Sequence, residues 1–130
     1  MKSRNNILKT SYAQVEPYVT KDSSTIRELM HPTVHGNLHL SLAEARVPPG
    51  GATLLHVHES TEEVYHITAG CGIMTLAKEQ FEVNCGDTVC IPPGTAHKVE
   101  NISDMELVIL CCCAPAYSHE DTSLLENIAR

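Results

Sequence analysis

Short runs of apolar residues, separated by turn-forming residues, extend along most of the chain. Over 38–43, leucines alternate with polar or small residues, and this period of two is typical of a strand with one buried face. The unbroken apolar run over 107–113 predicts a strand buried on both faces. Proline and glycine clusters at 48–51 and 92–94 predict turns between such segments. About nine short strands of this kind predict an all-β fold, either an antiparallel sandwich or a barrel.

The two ends of the chain follow a different pattern. Residues 1–20 are polar and irregular, and we expect them to form a loosely attached arm. Residues 119–130 predict a short C-terminal helix or tail, because Asp121 can cap a helix there. The apolar positions of that segment share one helical face: Leu124, Leu125 and Ile128.

Composition narrows the range of partners. The 130 residues are one domain's worth of chain, and 16 acidic against 9 basic residues give a net charge of −7. Because nucleic acids and anionic membranes attract basic surfaces, we expect neither as a partner. The sequence lacks an apolar run of about 18 residues, and its amino end lacks the apolar stretch of a signal peptide, which predicts a cytoplasmic protein.

Six cysteines need an explanation, and three of them are consecutive at 111–113. An even number permits disulfides in an oxidising compartment, whereas the cytoplasm keeps thiols reduced. We therefore expect free, buried thiols, since unpaired cysteine is among the most buried residue types. Buried apolar thiols are usually unreactive; a thiolate near a metal ion is the alternative.

The candidate chemistry lies in histidines that follow the two Pro-Pro-Gly turns. His56 and His58 are separated by one residue, so on a strand their imidazoles project from the same face. Two neighbouring ligands of one metal ion need this arrangement. The alternative is that these are ordinary surface or core histidines. We expect such an ordinary surface or core position for five other histidines: His31, His35, His39, His66 and His119.

Glu63 and His97 can complete a metal site. The residues after His58 can turn the chain back, so that Glu63 begins the next strand; Glu62 is the alternative carboxylate. His97 arrives from a distant strand after the second Pro-Pro-Gly turn. Three imidazoles and one carboxylate suit one divalent transition-metal ion per chain, namely Fe, Mn, Ni, Zn, Co or Cu.

The charge of such a site predicts the kind of substrate. Neutral imidazoles are the metal-binding form, so a divalent ion with one carboxylate leaves a net charge of about +1. We therefore expect a small, anionic organic substrate. The ion would polarise substrate oxygens, or bind substrate and dioxygen together.

Glycine, proline and asparagine positions around these residues complete two longer motifs. The first reads Gly50-x5-His56-x-His58-x4-Glu63-x6-Gly70, and the second reads Gly86-x5-Pro92-x-Gly94-x2-His97-x3-Asn101. In the order and spacing of both motifs, the chain resembles the small bacterial single-domain cupins, the group of cupin 2 conserved barrels.

That resemblance implies a cupin-type double-stranded β-helix, or jelly-roll barrel, over residues 21–118. It carries metal-ligand roles onto His56, His58, Glu63 and His97, and it implies a homodimer. Asn101 is expected to tie down a turn or strand end by hydrogen bonds. The family does not determine the reaction, because cupins with these ligands include dioxygenases, isomerases, decarboxylases, lyases and non-enzymatic binding modules.

Two further residues are candidates for catalysis. Tyr65 lies two residues after Glu63 on the same strand, so it should face the interior and could donate a proton to a bound oxygen. A packed core tyrosine is the alternative. Arg46, if it faces inward, would clamp a substrate carboxylate. A solvated outer face, or a salt bridge in a dimer, is the alternative for Arg46.

Taken together, the sequence predicts a metal-dependent cupin enzyme of dioxygenase, isomerase or decarboxylase type. The alternative is a non-catalytic cupin module, in which the same metal ion binds a carboxylate or sugar ligand. A third option is a cupin that has kept the ligands but binds no metal in the cell.

Overall fold

The computed structural model describes residues 7–126, which form eleven short strands and two short helical segments. The strands are β1 (Tyr18–Val19), β2 (Thr25–Met30), β3 (Ser41–Val47), β4 (His56–His58), β5 (Glu62–Ala69), β6 (Cys71–Leu76), β7 (Glu79–Asn84), β8 (Thr88–Ile91), β9 (His97–Glu100), β10 (Leu107–Ala114) and β11 (Thr122–Leu124). The helical segments are a 3-10 turn (Tyr12–Gln14) and α1 (Pro32–His35).

The strands make two antiparallel sheets. One sheet has the order β1-β2-β3-β10-β5-β8, and the other has the order β11-β4-β9-β6-β7. Buried residues from both sheets form one hydrophobic cluster, which includes Ile67, Met74, Val99 and Ile109. The all-β prediction is confirmed, and each sheet contains a strand from outside the predicted 21–118 range, β1 in one and β11 in the other.

Burial along β3 and β10 explains how the patterned segments fold. On β3, alternate residues from Ser41 to Val47 are buried, and those between them lie on the other face. The predicted strand began at residue 38, but Leu38 precedes β3 and is 81% exposed. β10 is buried on both faces only over 107–109, and beyond that point burial alternates along the strand.

The side chain of Asn101 ties the loop between β9 and β10 to the end of β3. Its side chain is fully buried, and its Nδ2 donates to the carbonyl oxygens of Val47 (3.0 Å) and Met105 (2.7 Å). Its Oδ1 accepts from the backbone nitrogen of Ser103 (3.0 Å). The expected role of Asn101 in holding a turn is confirmed, and the turn lies between β9 and β10.

Gly70, between β5 and β6, lies where no other residue fits. Its φ is +79°, a left-handed conformation that side chains rarely adopt. A Cβ atom there would also lie 2.5 Å from the carbonyl oxygen of Glu106. Close approach to the loop before β10 therefore adds to the conformational requirement for glycine.

The predicted C-terminal helix is wrong over the described residues, where β11 forms instead. β11 pairs antiparallel with β4, so it covers an edge that β4 would otherwise leave open. Asp121 caps no helix; its carboxylate accepts hydrogen bonds from the backbone nitrogens of Ser60 and Thr61. The rest of the predicted helix, residues 127–130, lies outside the described range.

Neither helical segment of the described chain exceeds four residues, and no helix in it is long and apolar enough to cross a membrane. The cytoplasmic location and the homodimer stay predictions.

Candidate metal centre

Two neighbouring strands of the five-stranded sheet bring three histidines together. His56 and His58 project from the same face of β4, and His97, the first residue of β9, is the register partner of His56. The ring centroids of His56 and His97 are 4.1 Å apart, and those of His58 and His97 are 5.3 Å apart. One nitrogen from each ring lies within 4.8 Å of the other two, so the three residues could hold a metal ion.

The second Pro-Pro-Gly turn delivers His97 to this place. Gly94 has φ +73° and donates its backbone N–H to the carbonyl oxygen of His58 (2.7 Å). A left-handed glycine therefore fixes the turn against β4, and the chain enters β9 three residues later. All three imidazoles are buried, with at most 4% of their surface exposed.

Hydrogen bonds to Nδ1 hold two of the rings with Nε2 free. The Nδ1 of His56 lies 2.7 Å from the carbonyl oxygen of Leu54, and that of His97 lies 3.0 Å from the carbonyl oxygen of Thr95. Because a carbonyl can only accept, each Nδ1 carries the proton. The lone pair is therefore on Nε2, the atom that ligates metal in this tautomer.

His58 is held by a residue that the sequence did not indicate. Its Nδ1 lies 2.8 Å from Oγ1 of Thr122, and that hydroxyl donates its own hydrogen to the carbonyl oxygen of Ser118 (2.8 Å). Thr122 must therefore accept from His58, which again leaves Nε2 with the lone pair. Because a C-terminal helix was predicted, no sequence signal connected Thr122 with His58.

Glu63 brings a carboxylate to the same nitrogens. Its Oε1 lies 3.2 Å from Nε2 of His58 and 3.4 Å from Nε2 of His97. Oε1 of Glu63 and Nε2 of His97 are both buried without a hydrogen-bond partner in the described chain. A cation placed between these atoms would satisfy the unpartnered ones. The donor set therefore fits a divalent cation.

The protonation states favour metal binding. Burial, followed by the neighbouring His97, lowers the pKa of His56 below its usual value, so the ring stays neutral at neutral pH. Burial alone would raise the pKa of Glu63, but His58 and His97 lower it to about 2. Glu62, the alternative carboxylate, is exposed on the opposite face of β5.

Asp22 is a second carboxylate at the centre, and sequence reasoning missed it. Its Oδ2 lies 3.4 Å from Nε2 of His56. Its Oδ1 accepts from the hydroxyl of Thr20 (2.7 Å) and from both the backbone nitrogen (3.0 Å) and the hydroxyl (2.7 Å) of Ser24. The side chain is therefore held in one orientation. A turn-forming Asp-Ser-Ser sequence predicts such bonds, but not their position beside a histidine.

The two predicted catalytic residues lie in different places. Tyr65 is buried in the cavity beside the histidines, with its ring centroid 6.0 Å from that of His97. Burial, with a contribution from Glu63, raises its pKa well above the usual value, so it keeps its proton. Arg46 is not brought to the histidines. It lies on the outer face of β3 and pairs with Glu44 (2.9 Å) and Glu106 (2.6 Å).

A small inner cavity of about 40 Å³ adjoins the histidines. Its wall includes Asp22, Glu63, Tyr65 and Cys113, whose thiol donates to Oε2 of Glu63 (3.4 Å). Burial raises the pKa of the Cys113 thiol, so this cysteine is a hydrogen-bond donor and not a thiolate. All six cysteines are free, although Cys85 and Cys90 are exposed and not buried as predicted.

Comparison with known proteins identifies the family. A model of the cupin domain matches residues 43–113, more than half of the chain. This chain is a cupin. The matched range contains the three clustered histidines of this cupin, together with Glu63 and Tyr65. Asp22 and Thr122 lie outside it.

Relatives of this cupin differ widely in their names. The protein MJ1618 of Methanocaldococcus jannaschii is 57% identical over 120 residues, which are 92% of this chain and 96% of that protein. The oxalate-binding protein of Thermotoga maritima is 30% identical over 84 residues, and the match covers 65% of each chain. The solved structure of the polyketide cyclase RemF from Streptomyces resistomycificus gives a TM-score of 0.78 at 20% identity, over 94% of this cupin and 87% of RemF. That likeness confirms the predicted jelly-roll fold.

Proposed function

We propose that this cupin is a metal-dependent enzyme, with one divalent transition-metal ion held by His56, His58, His97 and Glu63, that acts on a small organic molecule. The observation that carries the proposal is a buried cluster of one ring nitrogen each from His56, His58 and His97, with Oε1 of Glu63 3.2 Å from Nε2 of His58 and 3.4 Å from Nε2 of His97. A divalent cation would satisfy the unpartnered atoms of this cluster.

The residues beside the ion give the site its chemistry. When bound, the ion supplies a Lewis acid, or a centre for dioxygen chemistry of the dioxygenase type. Tyr65 keeps its proton and can donate a hydrogen bond to an oxygen of the bound molecule. Asp22 has one oxygen fixed by three donors and the other directed toward His56, where it can take a proton from the bound molecule or return one.

A non-catalytic binding module is the second candidate. The name of the Thermotoga maritima oxalate-binding protein, 30% identical over the matched region, favours it. In that case the same ion would hold a small ligand for sensing or storage, and Asp22 and Tyr65 would orient the ligand without proton transfer.

Elemental analysis of protein purified without an affinity tag tests the metal centre. We expect about one divalent ion per chain, and His56→Ala should remove it while the barrel stays folded. His66→Ala is the matched control, because His66 lies on the outer face of β5 and bonds only to Thr88 (2.8 Å). Stoichiometric metal in the His56→Ala variant would overturn the proposal.

Turnover separates the enzyme from the module. The metal-loaded protein is screened with keto acids, 1,3-diketones, flavonols and sugar phosphates, with and without air. The enzyme predicts turnover of one class, and Asp22→Asn should reduce that turnover while the metal content stays the same. Tight stoichiometric binding of one compound, with no turnover of any, would favour the module.

A further inference from the structure

A larger outer cavity of about 550 Å³ adjoins the inner cavity at the metal centre. Three residues line both cavities, namely Tyr18, Glu28 and Tyr117. The inner space is too small for more than the ion and a few atoms, since a single water needs about 10–15 Å³. A ligand of ordinary size therefore lies mainly in the outer cavity and reaches the ion past these three side chains.

No lysine or arginine of residues 7–126 lines either cavity. The side chains that could have done so are engaged elsewhere. Arg46 pairs with glutamates on the outer face, and Arg27 lies over the ring of Tyr12, 4.7 Å from its centroid. Lys21 donates to the carbonyl oxygens of His119 and Thr122.

Three histidines line the outer cavity: His31, His35 and His119. The Nδ1 of His31 accepts from the backbone nitrogen of Thr33 (3.2 Å), and the Nδ1 of His35 accepts from that of His31 (2.9 Å). A ring nitrogen that accepts a hydrogen bond carries no proton, so these two nitrogens offer no donor to a ligand.

No lysine or arginine within residues 7–126 stands beside the acidic side chains in the cavity lining. Glu28 accepts from the hydroxyl of Tyr18 (2.7 Å), and its other oxygen is buried without a partner in the described chain. Three carboxylates line the inner cavity, namely Glu63, Asp22 and Glu28, so with a divalent ion its formal charge is about −1. A site with one carboxylate, as the sequence indicates, would instead have a formal charge of about +1 and favour an anionic substrate.

We infer that this site selects an uncharged ligand, one with an oxygen for the ion and an O–H or N–H group for Asp22, and disfavours carboxylates. The inference rests on the proposed function, because it needs the ion in place. Asp22 is the hydrogen-bond acceptor, and Glu28 is a carboxylate at the boundary between the two cavities.

Glycolamide and glycolate test this inference, since they differ only in an amide against a carboxylate. Both are titrated into the Co²⁺-loaded protein, whose visible absorption reports a ligand at the ion. In Glu28→Gln, the dissociation constant of glycolate should fall about tenfold, while that of glycolamide changes little. Asp22→Asn should also strengthen glycolate binding, but it should weaken glycolamide. Comparison between variants cancels the intrinsic affinity of Co²⁺ for each probe.

Glu82→Gln is the matched control, because it removes the same charge from an exposed position on β7. It should leave both dissociation constants unchanged. The inference is overturned if Glu28→Gln weakens glycolate binding or leaves it unaltered, or if neither probe perturbs the Co²⁺ spectrum. Failure of the wild-type protein to retain Co²⁺ would instead overturn the proposed function.

Discussion

Replacing Thr122 by valine removes a hydroxyl group that determines which nitrogen of His58 is free for metal. Valine has nearly the same shape, but it cannot accept the Nδ1–H of His58, now 2.8 Å from Oγ1. His58 is only 4% exposed, so its N–H would lose its partner without gaining water. Leaving a buried donor unpaired costs about 1–3 kcal/mol, and removing the partner of a metal-binding histidine typically weakens metal affinity about 10–100-fold.

We therefore expect Thr122→Val to bind metal about 10–100-fold more weakly than the wild-type protein. Competition with a chromophoric chelator for Zn²⁺ or Ni²⁺ measures the affinity, and thermal unfolding of the metal-free protein measures the effect on the fold itself. Thr122→Ser keeps the hydroxyl, so its metal affinity should stay within a few-fold of the wild-type value, a difference of about 1 kcal/mol in binding free energy. Thr122→Val with undiminished metal affinity would refute the argument that this hydroxyl fixes the ring.

Three further predictions concern other parts of the molecule. Gly70→Ala should lower the free energy of unfolding by about 3 kcal/mol or more in chemical denaturation. Gly86→Ala should lower it by only about 1–2 kcal/mol, because Gly86 has φ +97° but open space where a Cβ would lie; equal losses would contradict this. Iodoacetamide at pH 8 should modify the exposed Cys85 but not Cys113, because burial raises the pKa of the Cys113 thiol. Mass spectrometry measures the labelling, and equal rates for the two cysteines would contradict the prediction. Arg46→Met should keep the full metal content and change the unfolding free energy by less than about 1 kcal/mol, and metal loss would show that Arg46 acts at the centre after all.

The part of the centre that sequence reasoning found depends on short-range geometry. His56 and His58 share a face because a strand has a period of two, and this holds wherever the strand lies. The Pro-Pro-Gly turn before His97 likewise acts locally, through a left-handed glycine. The structure brings these three residues together with Glu63, as the resemblance to the cupins implied, and the metal itself stays a proposal.

Asp22 and Thr122 could not be found in this way, because they lie outside the two motifs and their roles depend on contacts between distant segments. The apolar spacing over 121–128 fits a helix, but three of those residues pair with β4 instead. A pattern this short cannot decide between periods of 3.6 and 2 when an open strand edge is available. Arg46 illustrates the same limit, since alternation along β3 does not determine which face is buried against the other sheet, and in the structure Arg46 lies on the other face.

The position of Thr122 has a consequence for when the ion can be held tightly. All four proposed ligands have been synthesised by residue 97, but the hydroxyl that orients His58 comes 25 positions later. A nascent chain that stops short of residue 122 would hold its ion loosely and exchange it with the surroundings. A proteolytic cut after Ser118, followed by loss of the released segment, would produce the same state in the finished protein without removing any of the four proposed ligands.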